Sequence, residues 1–249
     1  LASISYRGRF FRDELLIALT ILDKGLAPRD GLRGSWAGAM GQTQFMPSSF
    51  MAWAVDQDGD GRRNIWTSIP DILGSTAHFL QGHGWVRGLP WGVEVTLPPH
   101  YRFKLMQGDF SAFSKAGLKR SDGRPLPAHG QARLFFPSNA HGPIFLVTAN
   151  FDVIRQYNAS DSYALAVAHL GERIKGAPGF RTAWPSNEPQ LDQEERIELQ
   201  KRLTARGYDV GDADGRIGSK TRAAIRQEQL NRALIPDGWP SPAVLNMLR

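Results

Sequence analysis

Gly34-Ser35-Trp36-Ala37-Gly38-Ala39-Met40-Gly41-Gln42-Thr43-Gln44-Phe45-Met46-Pro47-Ser48, with Asp56-Gln57-Asp58-Gly59-Asp60-Gly61 beginning eight residues later, is the stretch on which the reading of this chain turns. Three glycines and two alanines surround one aromatic, Trp36, so the backbone can come close to a bulky ligand. Ser35, Gln42 and Gln44 supply neutral donors and acceptors suited to sugar hydroxyls. An ordinary Gly-rich connection is the competing reading, because such loops are common. In the acidic run, Asp56, Asp58 and Asp60 fall at positions 1, 3 and 5 of an EF-hand pattern, Gly61 at 6, and Arg62 can offer a backbone carbonyl at 7. Thr67 stands at position 12, where a bidentate Glu is expected, so the loop is not a regular EF-hand. Three carboxylates this close repel one another unless a cation or a proton compensates, and hard oxygen ligands at this spacing favour calcium.

Working outward, Arg9 to Asp23 reads as a helix closed by Gly25, with Phe11, Leu15, Ala18, Leu19 and Leu22 on one face. A second helix is expected from Pro70 to Gly82, burying Ile72, Leu73, Ala77 and Leu80. From Leu89 to about Phe145 the texture changes to short apolar or alternating runs, such as Val93–Leu97 and Arg133–Phe136, broken by Pro and Gly, which reads as strands and turns. Asp161 or Ser162 is placed to cap a helix running to about Lys175, with Leu165, Ala168 and Leu170 among its apolar positions. Residues 176–190 are rich in breakers and read as a linker. Beyond it, Ile197, Leu199 and Leu203 mark one helix, Thr221 to Leu230 another, and Val244 to Leu248 a short final turn.

Gly34 to Phe50, Ala54-Val55-Asp56 with the Asp-Gly-Asp-Gly run, and His83-Gly84-Trp85 resemble the lytic murein transglycosylase B family of bacterial cell-wall enzymes. The resemblance continues at Asn150–Ile154, Tyr157-Asn158, Tyr163–Val167 and Leu170-Gly171, and covers most of residues 1–175. Leu199–Leu203, Gly207–Val210, Asp214–Gly218, Thr221–Ile225 and Asp237-Gly238 are similar to the small three-helix peptidoglycan-binding domain of many wall enzymes. These resemblances imply a mainly α (α+β) chain. Its parts are a lysozyme-like helical domain over 1–175 with a β-rich insertion at about 89–145, a linker at 176–190, and a helical wall-binding domain over 191–249.

In that family one glutamic acid protonates the glycosidic oxygen between N-acetylmuramic acid and N-acetylglucosamine, and the muramyl 6-hydroxyl attacks in place of water. The product is a 1,6-anhydro sugar, unlike the outcome of two-carboxylate hydrolysis. The family carries this glutamate in a Gly-x-Glu-Ser block ahead of the part matched by Leu1–Tyr6, and no such block occurs here, so the catalytic residue is unassigned. Three readings compete: an N-terminally truncated transglycosylase, a noncatalytic peptidoglycan-binding protein, and an enzyme whose acid has moved to Glu14. The helix neighbours of Glu14 already explain it as a surface or hydrogen-bonding position.

The resemblance implies a substrate set of Ser35, Gln44, Phe45, Asn150, Tyr157 and Asn158, with Gln44 contacting the sugar near the acid and Phe45 and Met46 shaping the floor. Core packing is the plainer reading for Met46 and Phe151, and local capping for Ser35. It also implies metal ligands at Asp56, Asp58, Asp60, Arg62 and Asp71, with Asp71 as the later acid in place of position 12. A structural calcium follows, and no cofactor for the chemistry. A calcium sensor is the non-enzyme alternative for this loop, and a single irregular loop argues against it.

Composition sets outer bounds. With 249 residues, 41% hydrophobic and 22% charged, the chain is ordinary globular protein of one or two domains. The absence of cysteine excludes disulfides and thiolate metal sites. Thirty basic residues against twenty-four acidic give +6, with the excess upstream of the tail, where residues 191–249 hold ten basic and nine acidic. A diffuse positive field suits an anionic partner such as the wall. The absence of a basic recognition helix argues against nucleic acid. Leu15 to Leu22 is too short to span a bilayer. Leu1–Ile4 shows no basic n-region or cleavage site, so the sequence is expected to begin inside a longer precursor. The family resemblance implies a periplasmic or envelope protein, its signal removed, acting as a monomer on glycan strands. Scattered histidines and the lack of a nucleophile elbow exclude a zinc site of usual spacing and Ser-His-Asp catalysis.

Overall fold

The computed structural model describes residues 8–249, so the resemblance at Leu1–Tyr6 lies outside the described residues. The chain forms two compact units, Leu1–Val86 and Arg87–Arg249. The dividing point falls inside the 1–175 stretch and groups the sheet with the C-terminal helices.

In the first unit, α1 spans Arg9–Asp23, α2 Pro47–Trp53 and α3 Ile69–Gly82, with a single 3-10 turn at Arg29–Gly31 between the first two. Helix α1 has the expected bounds, and Gly25 leaves it in the left-handed conformation at φ 62°. Helix α2 starts directly after the Gly-rich stretch; Pro47 sits in its first turn, where a missing N–H costs nothing. The core holds Ile21, Met40, Phe45, Phe50, Ile65 and Phe79, with the Phe45 and Phe79 rings 5.6 Å apart. Trp53 crosses α3 so closely at Gly82 that a Cβ there would lie 2.0 Å from its ring.

The buried faces differ from the apolar stripes. On α1 the fully buried positions are Glu14 and Ile21, while Leu19 is exposed. On α3 they are Asp71, Ile72, Ser75 and Phe79, while Leu73 is 65% exposed and Ala77 faces out. The cause is hydrogen bonding: Glu14, Asp71 and Ser75 each accept from backbone N–H groups that would otherwise be stranded.

The second unit carries an antiparallel sheet of five strands in the order β2-β4-β5-β1-β3: β1 Gly92–Thr96, β2 Gln107–Asp109, β3 Lys119–Arg120, β4 Gln131–Phe135 and β5 Ile144–Val147. Leu134 pairs with Leu146 and Phe135 with Phe145, and the alternation divides them between two cores. Phe135, Phe145 and Val147 face α5 (Ala149–Tyr157) and α6 (Asp161–Ile174). Leu134, Leu146 and Val95 face α4 (Phe110–Lys115). Ser160 caps α6, one residue before the first of the expected caps, and of the apolar positions named Leu165 and Ala168 are buried while Leu170 is exposed.

The breaker-rich 176–190 stretch is tied to this sheet. The Glu94 carboxylate accepts from the N–H groups of Arg181 and Thr182, both at 2.8 Å, and Phe180 stacks on His169 at 3.8 Å. Helices α7 (Gln193–Ala205), α8 (Ser219–Asn231) and α9 (Pro242–Leu248) follow, packed around Leu199, Leu203, Ile225, Leu245 and Leu248. Asp192 and Glu195 form a reciprocal cap at the start of α7. The expected final turn is α9, capped by Ser241. No helix among the described residues is long and apolar enough to cross a membrane.

Candidate functional site

The Gly-rich stretch folds back on itself twice. Gly34 bridges to Met40 and Met40 to Phe45, laying three short extended pieces side by side. Met40 and Phe45 exchange both backbone bonds, at 2.7 and 3.0 Å, and Ser35 N donates to Ala39 O at 2.8 Å. The glycine at 41 is required on two counts: its φ is 64°, and a Cβ would come 2.7 Å from Ile65 O. That oxygen accepts from Gln42 N at 2.9 Å, so the second fold of the loop rests on the chain before α3. Gly41→Ala is expected to cost more than about 1 kcal/mol of stability, read as a shifted urea midpoint. An unchanged midpoint would show that the close approach is dispensable.

The folding sorts the side chains into two faces. Met40 and Phe45 point into the core, whereas Ser35, Trp36, Gln42 and Gln44 are exposed, Trp36 by 80%. Gln44 holds a left-handed backbone, φ 52°, which is uncommon for a side chain of this kind. Its amide nitrogen donates to Gly41 O at 2.8 Å, and Gln42 Nε2 donates to Trp66 O at 3.0 Å. The Ser35 hydroxyl accepts from Ala39 N at 3.2 Å, the local cap that the plainer reading expects. Phe45, counted among the ligand contacts, is 2% exposed and offers no surface; it anchors the strip from beneath. Trp36 was noted in the sequence only as the aromatic of the loop, and its exposure is the signal that marks it.

Glu14 is buried, 3% exposed, and therefore not a surface position. Its carboxylate accepts from Ser48 N at 2.9 Å and from Ser48 Oγ at 2.5 Å. The loop's end is thereby fastened to α1.

The acidic loop is organised around two carboxylates. Asp56 accepts from the N–H groups of Gly59, Asp60 and Gly61 at 2.7, 3.1 and 2.8 Å. Asp71, wholly buried in the first turn of α3, accepts from Gln57 N and Asn64 N, each at 2.7 Å, and from Asp58 N at 3.4 Å. One oxygen from each of Asp56, Asp58, Asp60 and Asp71 can be chosen so that all four lie within 4.8 Å of one another. This all-oxygen set at the start of a loop turned by Gly59 and Gly61 fits a hard cation. Arg62 donates its N–H to Asp60 at 2.8 Å. Thr67, at the twelfth position, accepts from Asn64 Nδ2 at 2.7 Å.

The remaining candidates belong to the second unit. Asn150 is fully buried in the first turn of α5 and donates to Leu89 O at 2.7 Å, so it offers no surface to a ligand and holds the chain entering β1. Tyr157 ends α5 half-buried. Asn158 follows it, exposed, and accepts from Ser160 N at 3.0 Å.

Comparison with known proteins supplies a frame for this geometry. Residues 1–172 match the family model described as transglycosylase SLT domain, and residues 192–248 match a peptidoglycan binding domain model. Membrane-bound lytic murein transglycosylase B of Escherichia coli (strain K12) is 36% identical over 184 residues, 70% of this chain and 49% of that protein. The chain thus spans about half the length of this curated relative. A crystal structure of SltB3 from Pseudomonas aeruginosa, in complex with NAG-anhNAM-pentapeptide, superposes with a TM-score of 0.87 at 44% identity, covering 100% of this chain and 69% of that one. The Escherichia coli transglycosylase Slt35, in complex with calcium, superposes at 0.56 with 33% identity, covering 70% and 57%.

Proposed function

This chain belongs to the transglycosylase SLT domain family, and from that membership we propose that it works on peptidoglycan glycan strands as a lytic transglycosylase. The reaction is cleavage of the β-1,4 bond from N-acetylmuramic acid to N-acetylglucosamine without water. The muramyl 6-hydroxyl forms the new bond to C1 and gives up its proton, the C1–O4 bond breaks, and the N-acetylglucosamine oxygen leaves protonated. The observation that carries the reading is the outward row of Ser35, Trp36, Gln42 and Gln44 on a strip pinned from below by Met40 and Phe45. The Trp36 ring offers a flat face for the C–H side of a pyranose, and the amides offer partners for hydroxyl and acetamido groups.

Residues 192–248 hold the protein at the wall, and the place of action is the cell envelope, in the periplasm, as a monomer. The protonating acid is not assigned to Glu14, because both its oxygens are engaged by Ser48 beneath the loop. In this reading Asp56, Asp58, Asp60 and Asp71, with the Arg62 carbonyl, hold a calcium ion that stiffens the loop and takes no part in bond cleavage.

Purified murein incubated with an N-terminally extended form of the protein that carries the family's Gly-x-Glu-Ser glutamate is expected to release muropeptides ending in anhydromuramic acid, identified by mass spectrometry. Reducing ends alone would mean hydrolysis and would overturn the assignment. Trp36→Ala is expected to weaken binding of a soluble GlcNAc–MurNAc tetrasaccharide by about tenfold, measured by calorimetry. Unchanged affinity would remove Trp36 from the contact surface.

A further inference from the structure

A cleft of about 480 Å³ in the second unit is lined by Arg133 of β4, Asp152 and Arg155 of α5, Asp161 of α6, Gln107 of β2 and Arg226 of α8. Arg133 pairs with Asp152 at 2.7 Å, and Arg155 pairs with Asp161 at 2.7 Å and reaches Asp152 at 3.5 Å. Both carboxylates are thereby engaged. Among the described residues no carboxylate lies within 4 Å of Arg226, which leaves one guanidinium in excess.

Arg226 is also held in place. Its Cγ and Nε lie where a Cβ on Gly238 would come within 2.9 Å, so the stem runs directly over that glycine. Arg222, one turn earlier on α8, is occupied over the Trp239 ring at 5.1 Å. Burial and the charges of Arg222 and Arg133 make the protonated form of Arg226 less favourable than in water, with Asp161 and Asp237 compensating in part. A fixed, half-buried, under-compensated guanidinium fork suits a carboxylate arriving from solvent.

We infer that Arg226, backed by Arg155 and Arg133, binds a carboxylate of a peptide, and that in the polymer this is the peptide borne by the muramyl residue. The inference rests on the proposed function for the identity of the peptide. The cleft joins the sheet to α8 of the C-terminal helical part, so a peptide bound there is gripped by both.

The test uses the whole chain in calorimetric titrations with three probes: a free wall pentapeptide carrying its carboxylates, the same pentapeptide fully amidated, and a peptide-free GlcNAc–MurNAc tetrasaccharide. The free pentapeptide is expected to bind about tenfold tighter than the amidated one, with the difference abolished in Arg226→Gln and partly kept in Arg226→Lys. Amidation alters only the ligand, so this comparison holds whether or not a variant folds well. Equal binding of the two pentapeptides, no binding of either, or a preference untouched in Arg226→Gln would overturn the inference. The tetrasaccharide reports on the glycan reading separately: its failure to bind would count against the proposed function while leaving a carboxylate preference at the cleft intact.

Discussion

Replacing Asp71 with Ala is expected to destabilise the first unit by about 3 kcal/mol or more, because hydrogen bonds to a charged acceptor are worth about 1.5–3 kcal/mol each and are not additive. Asp71 is wholly buried and accepts from Gln57, Asp58 and Asn64, three N–H groups at opposite ends of the acidic loop. Removing the carboxylate strands those donors and leaves a void in the first turn of α3. At roughly 4–8 °C per kcal/mol for a domain of this size, the melting temperature should fall on the order of 15 °C. A second effect separates the metal from the hydrogen bonds. Calcium at a hundredfold excess over its Kd should add about 2.7 kcal/mol to the wild-type protein. Asp71→Asn keeps one acceptor oxygen, so it should melt between wild type and Asp71→Ala while losing the calcium response. Equal responses to calcium and chelator in all three proteins would remove the ion from the account.

Glu14→Ala should have the next largest consequence. The wild-type carboxylate satisfies both Ser48 N and Ser48 Oγ, at 2.9 and 2.5 Å, across the junction of α1 and α2. Its loss leaves a part-buried N–H and hydroxyl without their acceptor, at about 2–4 kcal/mol. The damage falls on the end of the Gly-rich loop, since Ser48 follows Pro47 directly, so glycan affinity should decline together with stability. Glu14→Gln retains an acceptor oxygen and should recover most of both. This pair of variants also bears on chemistry: if Glu14 were the protonating acid, Glu14→Gln would abolish anhydro product while leaving melting and binding near wild type. For variants assayed in the N-terminally extended form, the packing predicts the opposite pattern, a modest change in all three.

The fold was legible where local rules govern it. Helix α1 ends where Gly25 turns left-handed, and β1 and β4 overlap the short runs at 93–97 and 133–136 that announced them, each starting one or two residues earlier. Periodicity failed where polar groups are buried for their hydrogen bonds. Glu14, Asp71 and Ser75 occupy inward positions that a hydrophobic stripe would assign to leucine, and Leu19, Leu73 and Leu170 face outward in compensation. The anchoring of the 176–190 stretch depends on Glu94, nearly ninety residues earlier in the chain, and no local pattern could reveal that pairing.

The candidate site divides along the same line. Its composition of glycines, amides and carboxylates was readable, and Asp56, Asp58, Asp60 and Asp71 do cluster. Which residues face outward was not, because the double fold at Met40 alternates the strip between core and solvent. That alternation puts Phe45 beneath the surface and exposes Trp36, while the cap of α5 buries Asn150.

The most direct measurement is the amide and side-chain NMR spectrum of residues 34–48 during titration with soluble GlcNAc–MurNAc tetrasaccharide. The predicted result is that Ser35, Trp36, Gln42 and Gln44 shift together with a common affinity while the side chains of Phe45 and Met40 beneath them move little. If those four signals stay in place at saturating sugar, the strip does not hold glycan and the assignment to wall cleavage fails.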